Sequence, residues 1–401
     1  MMGPNWSLLP PELLEAIACK LTSLADYIRF RAVCHPWCSA SSPRPRHLPI
    51  QLPWLMLPYR LDGLDDYIRH FYDLSSSKIH RLHLPETRGA KVCGSSHGWL
   101  ILHKGMVTSL LNPITRATIS LPPYTAVPSH LGISPYYSPN GVPFFDNWDA
   151  HNLAVSPTVN FRVKKAILTS SPLDNGCLVF VHTSGFWEFA FCKIGDERWT
   201  VIEFEAPLPS EEDFWDFSYC NGFLYAVHQF GNVTMYNLID PTKIVLHCGN
   251  GIDDMCLVDG VSSDALLISN SRLNYDDDEN GVVQREIEYT VYKFSNDGEP
   301  QWIEVTDVGQ NVLFFGGDRH ALSLSSANLQ LPDRGANSLC YDSIKIEQWD
   351  QQHDYRSTWR NHYLKLGRLD NGTVVDITGD LGSFQWNGRW EESLWLTPSL
   401  I

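Results

Sequence analysis

Ten tight-turn dipeptides constrain the fold of this chain more than any other feature. Asn-Gly pairs begin at Asn140, Asn175, Asn221, Asn250, Asn280, Asn371 and Asn387, and Asp-Gly pairs at Asp62, Asp259 and Asp297. Two-residue hairpin turns need positive φ at their central residues, which Asn, Asp and above all Gly tolerate. Between the pairs lie short runs rich in aromatic and β-branched residues: WLILH, TSLLN, KAILTSS, CLVFVHT, FWEFAFCKI, FLYAVHQF, TMYNLI, DALLISN and EYTVYKF. The pattern predicts a mainly β architecture of antiparallel hairpins from about Leu61 to Ile401. Helical spacing is confined to the N-terminus and the segment Leu64–Leu74.

A weak internal repeat narrows the architecture further. FCKIGDERWTVIEFE, which contains Trp199, is similar to VYKFSNDGEPQWIEVTD, which contains Trp302. Each is an aromatic strand ending in Lys plus an apolar residue, then a polar turn, then Trp at the opening of another strand. The two tryptophans stand 103 positions apart, close to two four-stranded blades of about 40–50 residues each. The 61–401 region is therefore expected to form a large antiparallel β-propeller of six or seven blades. A pair of β-sandwiches or a solenoid is the alternative.

The chain has 401 residues, 43% of them hydrophobic, enough for a large core, and a formal net charge of −16. That charge repels phosphate backbones, so neither nucleic acid nor an anionic membrane is an expected partner. Residues 1–53 run against the trend, with five basic side chains (Lys20, Arg29, Arg31, Arg44, Arg46) and three acidic ones (Glu12, Glu15, Asp26). The ten cysteines form no Cys-x-x-Cys pair and sit mostly in apolar runs, which reads as reduced and buried. The start lacks a signal-peptide pattern, and no apolar run reaches membrane-spanning length. A nuclear or cytoplasmic location is expected, with the sequons at Asn5, Asn232 and Asn371 left unglycosylated.

Near the N-terminus, Leu13, Leu14, Ile17 and Leu21 recur at the spacing of a helical stripe. Pro10 or Pro11 suits the first helical position, and Glu12 and Glu15 lie near the positive end of the dipole. A second helix is expected from Asp26 as N-cap through Ile28, Phe30 and Val33, with Pro36 disturbing any continuation. Residues 1–45 are too few to bury a self-sufficient core, so their apolar side chains need either the rest of the chain or a partner. Residues 46–60 read as a proline-rich connector whose Trp54, Leu55, Met56 and Leu57 pack on the next domain.

Leu9, Pro10, Glu12, Leu13, Leu14, Ile17, Leu21, Asp26, Phe30, Arg31, Val33, Cys34 and Trp37 resemble, in order and spacing, an F-box. That motif binds the Skp-type adaptor of cullin-based ubiquitin ligases. The resemblance implies that Leu9, Pro10, Leu13, Leu14, Ile17, Leu21, Phe30, Val33 and Trp37 provide the apolar adaptor contact or its support. Glu12, Asp26 and Arg31 would set helix ends and polar edges. One departure is Cys38, where the family usually has Arg or Lys. Further along, GSSHGWLIL, LLNPITRATISLPP, NGFLYAV, VYKFSNDGEPQWIEVTDVGQNVLFFGG, ANSLCYDS and WLTPSL resemble, in order, the KIB-type (kelch-like) β-propeller at the C-terminus of many plant F-box proteins. This implies an interaction surface without an active site.

Other motifs have plainer readings. Gly94-Ser95-Ser96-His97-Gly98 fits G-x-S-x-G, but a nucleophile elbow needs a helix after it and WLIL reads as strand. His80 and His83 lack further ligands nearby and read as surface residues. The acidic runs Glu211–Asp213 and Asp276–Glu279 lack the ligand spacing of a calcium loop and read as loop charges. Phe214, Trp215, Phe217 and Tyr219, beside an acidic run, form the favoured target-binding patch, because Trp and Tyr dominate binding where exposed. No metal or cofactor is expected. The combined expectation is a non-catalytic substrate receptor of an SCF-type (Skp-cullin-F-box) E3 ubiquitin ligase, joining the adaptor, and through it cullin, to a protein target. A non-degradative scaffold and a propeller enzyme acting on a small metabolite are the alternatives.

Overall fold

A computed structural model describes residues 6–60, 67–124, 162–184, 189–202, 214–228, 231–237, 243–246, 248, 255–260, 265–272, 276–277, 283–284, 287–316, 320–329, 336–349, 358–378, 381, 383–386, 390–391 and 393–400. Three short helices come first: α1 (Pro11–Ala18), α2 (Leu24–Arg31) and α3 (His35–Ser39), after a 3-10 turn at Trp6–Leu8. Beyond them the described residues are strand, turn and short 3-10 segments.

The strands form six sheets of at least four strands each, with two of the sheets joined along their inner edges. From the inner strand outward, the first blade is Leu394–Leu396, Trp54–Met56, Ile68–Asp73 and Lys78–His83. The second is Lys91–Ser96, Trp99–Lys104, Val107–Leu111 and Thr118–Ser120. The third runs Arg162–Leu168, Leu178–Ser184, Phe189–Lys193 and Thr200–Ile202, and the fourth Phe214–Cys220, Phe223–His228, Val233–Asn237 and Lys243–Leu246. Met255–Gly260, Leu266–Arg272, Ile287–Ser295 and Gln301–Glu304 make the fifth. The sixth is ordered differently: Ala321–Ser325, Asn311–Phe315, Ser338–Trp349 and Thr358–Arg368, with its second and third strands parallel. The inner strands of blades five and six come close enough to pair in parallel, Val258 opposite Ala321.

Strand alternation explains how such sheets stack. Successive side chains point to opposite faces, so a strand covered on both faces serves two cores at once. In the second blade, Leu100 and Leu102 join Phe71 and Leu396 of the first, while Trp99 and Ile101 join Val163 and Val179 of the third. Equivalent clusters join the third blade to the fourth, the fourth to the fifth, the fifth to the sixth, and the sixth back to the first. Among the described residues, six blades with six interfaces make a closed ring, within the expected range of six or seven. Closure is itself a strand pairing: Leu55 opposes Trp395, so the last strand of the chain lies beside the first.

Three sequence expectations change. The 46–60 stretch is not a separate connector, because Trp54–Met56 is a blade strand and Tyr59–Arg60 pairs with Trp390–Glu391. Within Leu64–Leu74, Ile68–Asp73 is a strand rather than helix, since pairing on both edges and burial of Phe71 and Tyr72 outweigh local spacing. Asp259 and Gly260 lie within a strand, opposite Leu322 and Ser323, rather than at the centre of a two-residue turn. Asn221-Gly222, with φ of +50° and +85°, is the hairpin turn that its sequence predicts. All ten cysteines are free; seven are buried, but Cys19 is exposed and Cys34 and Cys38 are half-buried.

A candidate docking module seated on the propeller

Helix α1 begins at Pro11, whose missing N–H costs nothing at that position. Helix α2 begins one turn earlier than Asp26 as N-cap would require. Ser23 is the cap, accepting the Asp26 amide at 3.4 Å, and Asp26 sits in the first turn paired with Arg29 at 2.8 Å. The Leu24 amide, another unpaired donor at the helix start, is taken by Gln51 at 3.0 Å.

The apolar stripe of α1 divides. Leu14 (1% exposed) and Ala18 turn inward with Tyr27 and Phe30, and Leu9, Leu21 and Trp37 pack against that small core. Leu13 and Ile17, four residues apart on the neighbouring stripe, face solvent at 52% and 42% exposure. Leu8, Ile28 and Val33 are exposed as well, the first at 77%. Pro10 and Glu12 are exposed beside Leu13. Of the residues that resemble the F-box, then, Pro10, Glu12, Leu13, Ile17, Asp26 and Val33 are accessible, whereas Leu14 and Phe30 are internal supports. Leu8 escaped the sequence reading because it lies in a 3-10 turn without periodicity.

Arg31 faces its own module. Its guanidinium donates to the Cys38 carbonyl at 3.3 Å, to the Ser41 carbonyl and to Ser41 Oγ, and it contacts Cys38 Sγ at 3.4 Å. It thereby holds the last turn of α3. Trp37 lies on Phe30, ring centroids 4.5 Å apart, and donates to the Trp6 carbonyl at 3.1 Å.

The module is fastened to the propeller. Leu48 and Leu400 complete its core, His47 bonds the Ala18 carbonyl at 3.0 Å, and Gln51 donates to the Thr22 carbonyl at 3.0 Å. The helices therefore satisfy one apolar face on their own chain and leave another open.

Behind them runs the channel lined by the inner strands. Lys165 Nζ lies 2.9 Å from Asp216 Oδ1 and 3.8 Å from Asp259 Oδ2. Asp216 also accepts the Leu257 amide at 2.7 Å. The neighbouring carboxylates hold the Lys165 ammonium above its usual range despite burial. Burial pushes the Asp259 carboxyl up to about 6, partly opposed by Lys165. None of this cluster was singled out from sequence, because its members come from three different blades.

Of the expected target patch, Phe217 is not available at the surface. Phe217 is 0% exposed, edge-to-face with Phe189 at 5.2 Å, because the strand Phe214–Cys220 is the inner strand of the fourth blade and both its faces are covered. Tyr219 is half-buried, and the side chains of Phe214 and Trp215 lie outside the described residues. Ser95, Ser96, His97 and Gly98 form a strand end and a hairpin turn, with φ of +51° at His97 and +84° at Gly98 and no following helix. His80 and His83 point to opposite faces of one strand, His80 3.3 Å from Asp73 and stacked on Trp54. Among the described residues no group of three or more His, Cys, Asp or Glu could hold a metal ion, and no helix is long and apolar enough to cross a membrane. The run Glu211–Asp213, Asp278 and Glu279 lie outside the described residues, and Asp276–Asp277 form a short strand.

The model of the KIB1-4 beta-propeller family matches residues 71–356, well over half of the chain. The chain belongs to this family. Relatives of this KIB1-4 propeller in Arabidopsis thaliana are named F-box proteins. One is 27% identical over 57% of this chain and 53% of its own length, so the chain spans about half of that relative. F-box protein SKIP23 is 26% identical over 82% of both chains. A third, a putative F-box protein, is 24% identical over 94% of this chain and 95% of its own. Family and relatives together support a plant F-box protein with a KIB-type propeller, and the helical module precedes the matched residues.

Proposed function

We propose that this chain is the substrate-recognition subunit of an SCF-type E3 ubiquitin ligase. The helical module docks a Skp-type adaptor, and through it cullin, while the propeller holds a protein target. The observation that carries the reading is the division of α1: Leu14 and Ala18 are committed to the module's own core, while Leu13 and Ile17 stay exposed. Since each is already about half covered, burying the rest under a partner is worth about 1 kcal/mol apiece. The chain performs no bond chemistry on this view. It contributes proximity, replacing a rare encounter between target and ubiquitin carrier by a high effective concentration.

The experiment is co-purification of the full chain with a plant Skp-type adaptor. The double variant L13D/I17D is expected to fold with unchanged stability and to lose the adaptor. Undiminished adaptor recovery with that variant overturns the reading.

A further inference from the structure

A cavity of about 590 Å³ lies between the helical module and the mouth of the propeller's channel, within the range typical of small-molecule sites. Leu48 and Ile50 line it from the module side, and Ile167 and Leu322 from the inner strands. Its polar groups include Asp259 and Ser323. Ser323 is 1% exposed and its hydroxyl has no hydrogen-bond partner among the described residues, while the Asp259 carboxylate, with Lys165 3.8 Å away and Ser218 beside it, has no donor within ordinary hydrogen-bond distance. Buried polar atoms without partners are costly, and a cavity that collects three of them needs an occupant with donors.

Charge decides which occupant. The Lys165 ammonium is committed to Asp216, within hydrogen-bond reach of both carboxylate oxygens, and stands 3.8 Å from Asp259. His320 accepts the Ser95 amide at Nε2, so its ring is neutral there. Among the described residues of the channel, two carboxylates therefore face one cation. An anionic ligand would add to the excess, and a neutral one would leave it uncompensated.

We propose that this cavity binds a small organic cation, an ammonium or guanidinium on an apolar body, with its charged end on Asp259 and Ser323. Its body lies among Leu48, Ile50, Ile167 and Leu322. Since both the module and the propeller supply walls, the bound cation bridges them. The site is independent of the proposed adaptor docking, because no residue of α1 lines the cavity.

The test uses the full chain with benzylamine and butylguanidine as probes and benzyl alcohol as the neutral counterpart, followed by ligand-observed NMR and thermal shift. The cations are expected to bind about tenfold or more tightly than the alcohol. Asp259→Asn should reduce them to the level of the alcohol. Leu48→Trp, which fills the cavity and keeps the carboxyl, should abolish binding of all three probes. Equal binding of cation and alcohol, full cation affinity in D259N, retained binding in L48W, or no cation binding at all would each overturn the proposal.

Discussion

The indole N–H of Trp302, in the outer strand of the fifth blade, donates at 2.9 Å to the carbonyl of Gly231, in a turn of the fourth. Trp199, beside the outer strand of the third blade, does the same at 2.6 Å to Pro122 of the second. Each indole fills a blade interface and fixes it with one directed bond. Replacing Trp302 by Phe keeps much of the apolar area but strands a buried carbonyl, at a cost of about 1–3 kcal/mol. W199F should cost a similar amount, and because the two lie in different interfaces the double variant should show the sum. Urea unfolding of the three variants checks this.

Gly94 sits where the inner strands of the second and third blades converge. A Cβ there would lie 2.1 Å from the Ala166 carbonyl oxygen and 3.1 Å from His320 Nε2. Backbone cannot yield cheaply, so Gly94→Ala should destabilise by about 3 kcal/mol or more, if it folds at all. Gly309→Ala is the control. Its added methyl meets open space, and only the φ of +67° opposes it, at about 1 kcal/mol. Thermal melts of G94A and G309A should differ accordingly.

The two tryptophans also mark what a sequence can reveal. Their spacing of two blades was visible because each blade is a local unit of hairpins, in which strand, turn and returning strand follow in order. The sixth blade breaks that order, and nothing in its residues announces a parallel pair. Which residues of α1 face out was equally hidden. Leu13 and Leu14 are the same residue type one position apart, and it is the placement of Tyr27 and Phe30 on α2, and of Leu48 and Leu400 farther along the chain, that decides that Leu14 is the inner one. The Lys165, Asp216 and Asp259 cluster is assembled by ring closure. Its members carry no local signal, and the Asp259-Gly260 pair reads as a turn until Leu322 is set opposite Asp259.

Acid stability should depend on opposing buried groups in and beside the channel. Burial holds His320 and His182 down to about 3, with the positive charge of Lys165 adding to it. The unfolded chain binds protons below about 6.5 that these folded rings refuse, so stability falls as pH drops from 6.5 toward 3. Asp259 acts in the opposite sense. With its carboxyl raised to about 6 from the usual 3.8, the folded state holds a proton that the unfolded state has lost, so its contribution falls as pH rises between those values. Asp259→Asn should therefore steepen the acid loss below pH 6 and raise stability at pH 7 by on the order of 2–3 kcal/mol. His320→Gln should flatten the loss. Urea midpoints at pH 4.5, 5.5 and 6.5 for the three proteins would read both signs, and parallel pH profiles would contradict them.

Leu400 packs against Leu14, Ala18, Tyr27 and Phe30 of the helical module. The same stretch closes the ring through Leu394–Leu396. One short segment thus ties the module to the propeller's closing blade, and loosening its tip should free the helices before it opens the ring. Leu400 is only partly buried, so Leu400→Ala should cost about 1–2 kcal/mol, less than a fully buried leucine would. The cost should fall on α1 and α2. Hydrogen exchange in L400A should speed up at the amides of Leu14 and Tyr27 while those of Leu55 and Leu100, inside the first two blades, keep wild-type rates. Leu14→Ala, cutting the same core from the helix side, should accelerate the same amides more strongly. If L400A instead accelerates exchange equally in helices and blades, the module and the ring open as one unit, and the order argued from Leu400 is wrong.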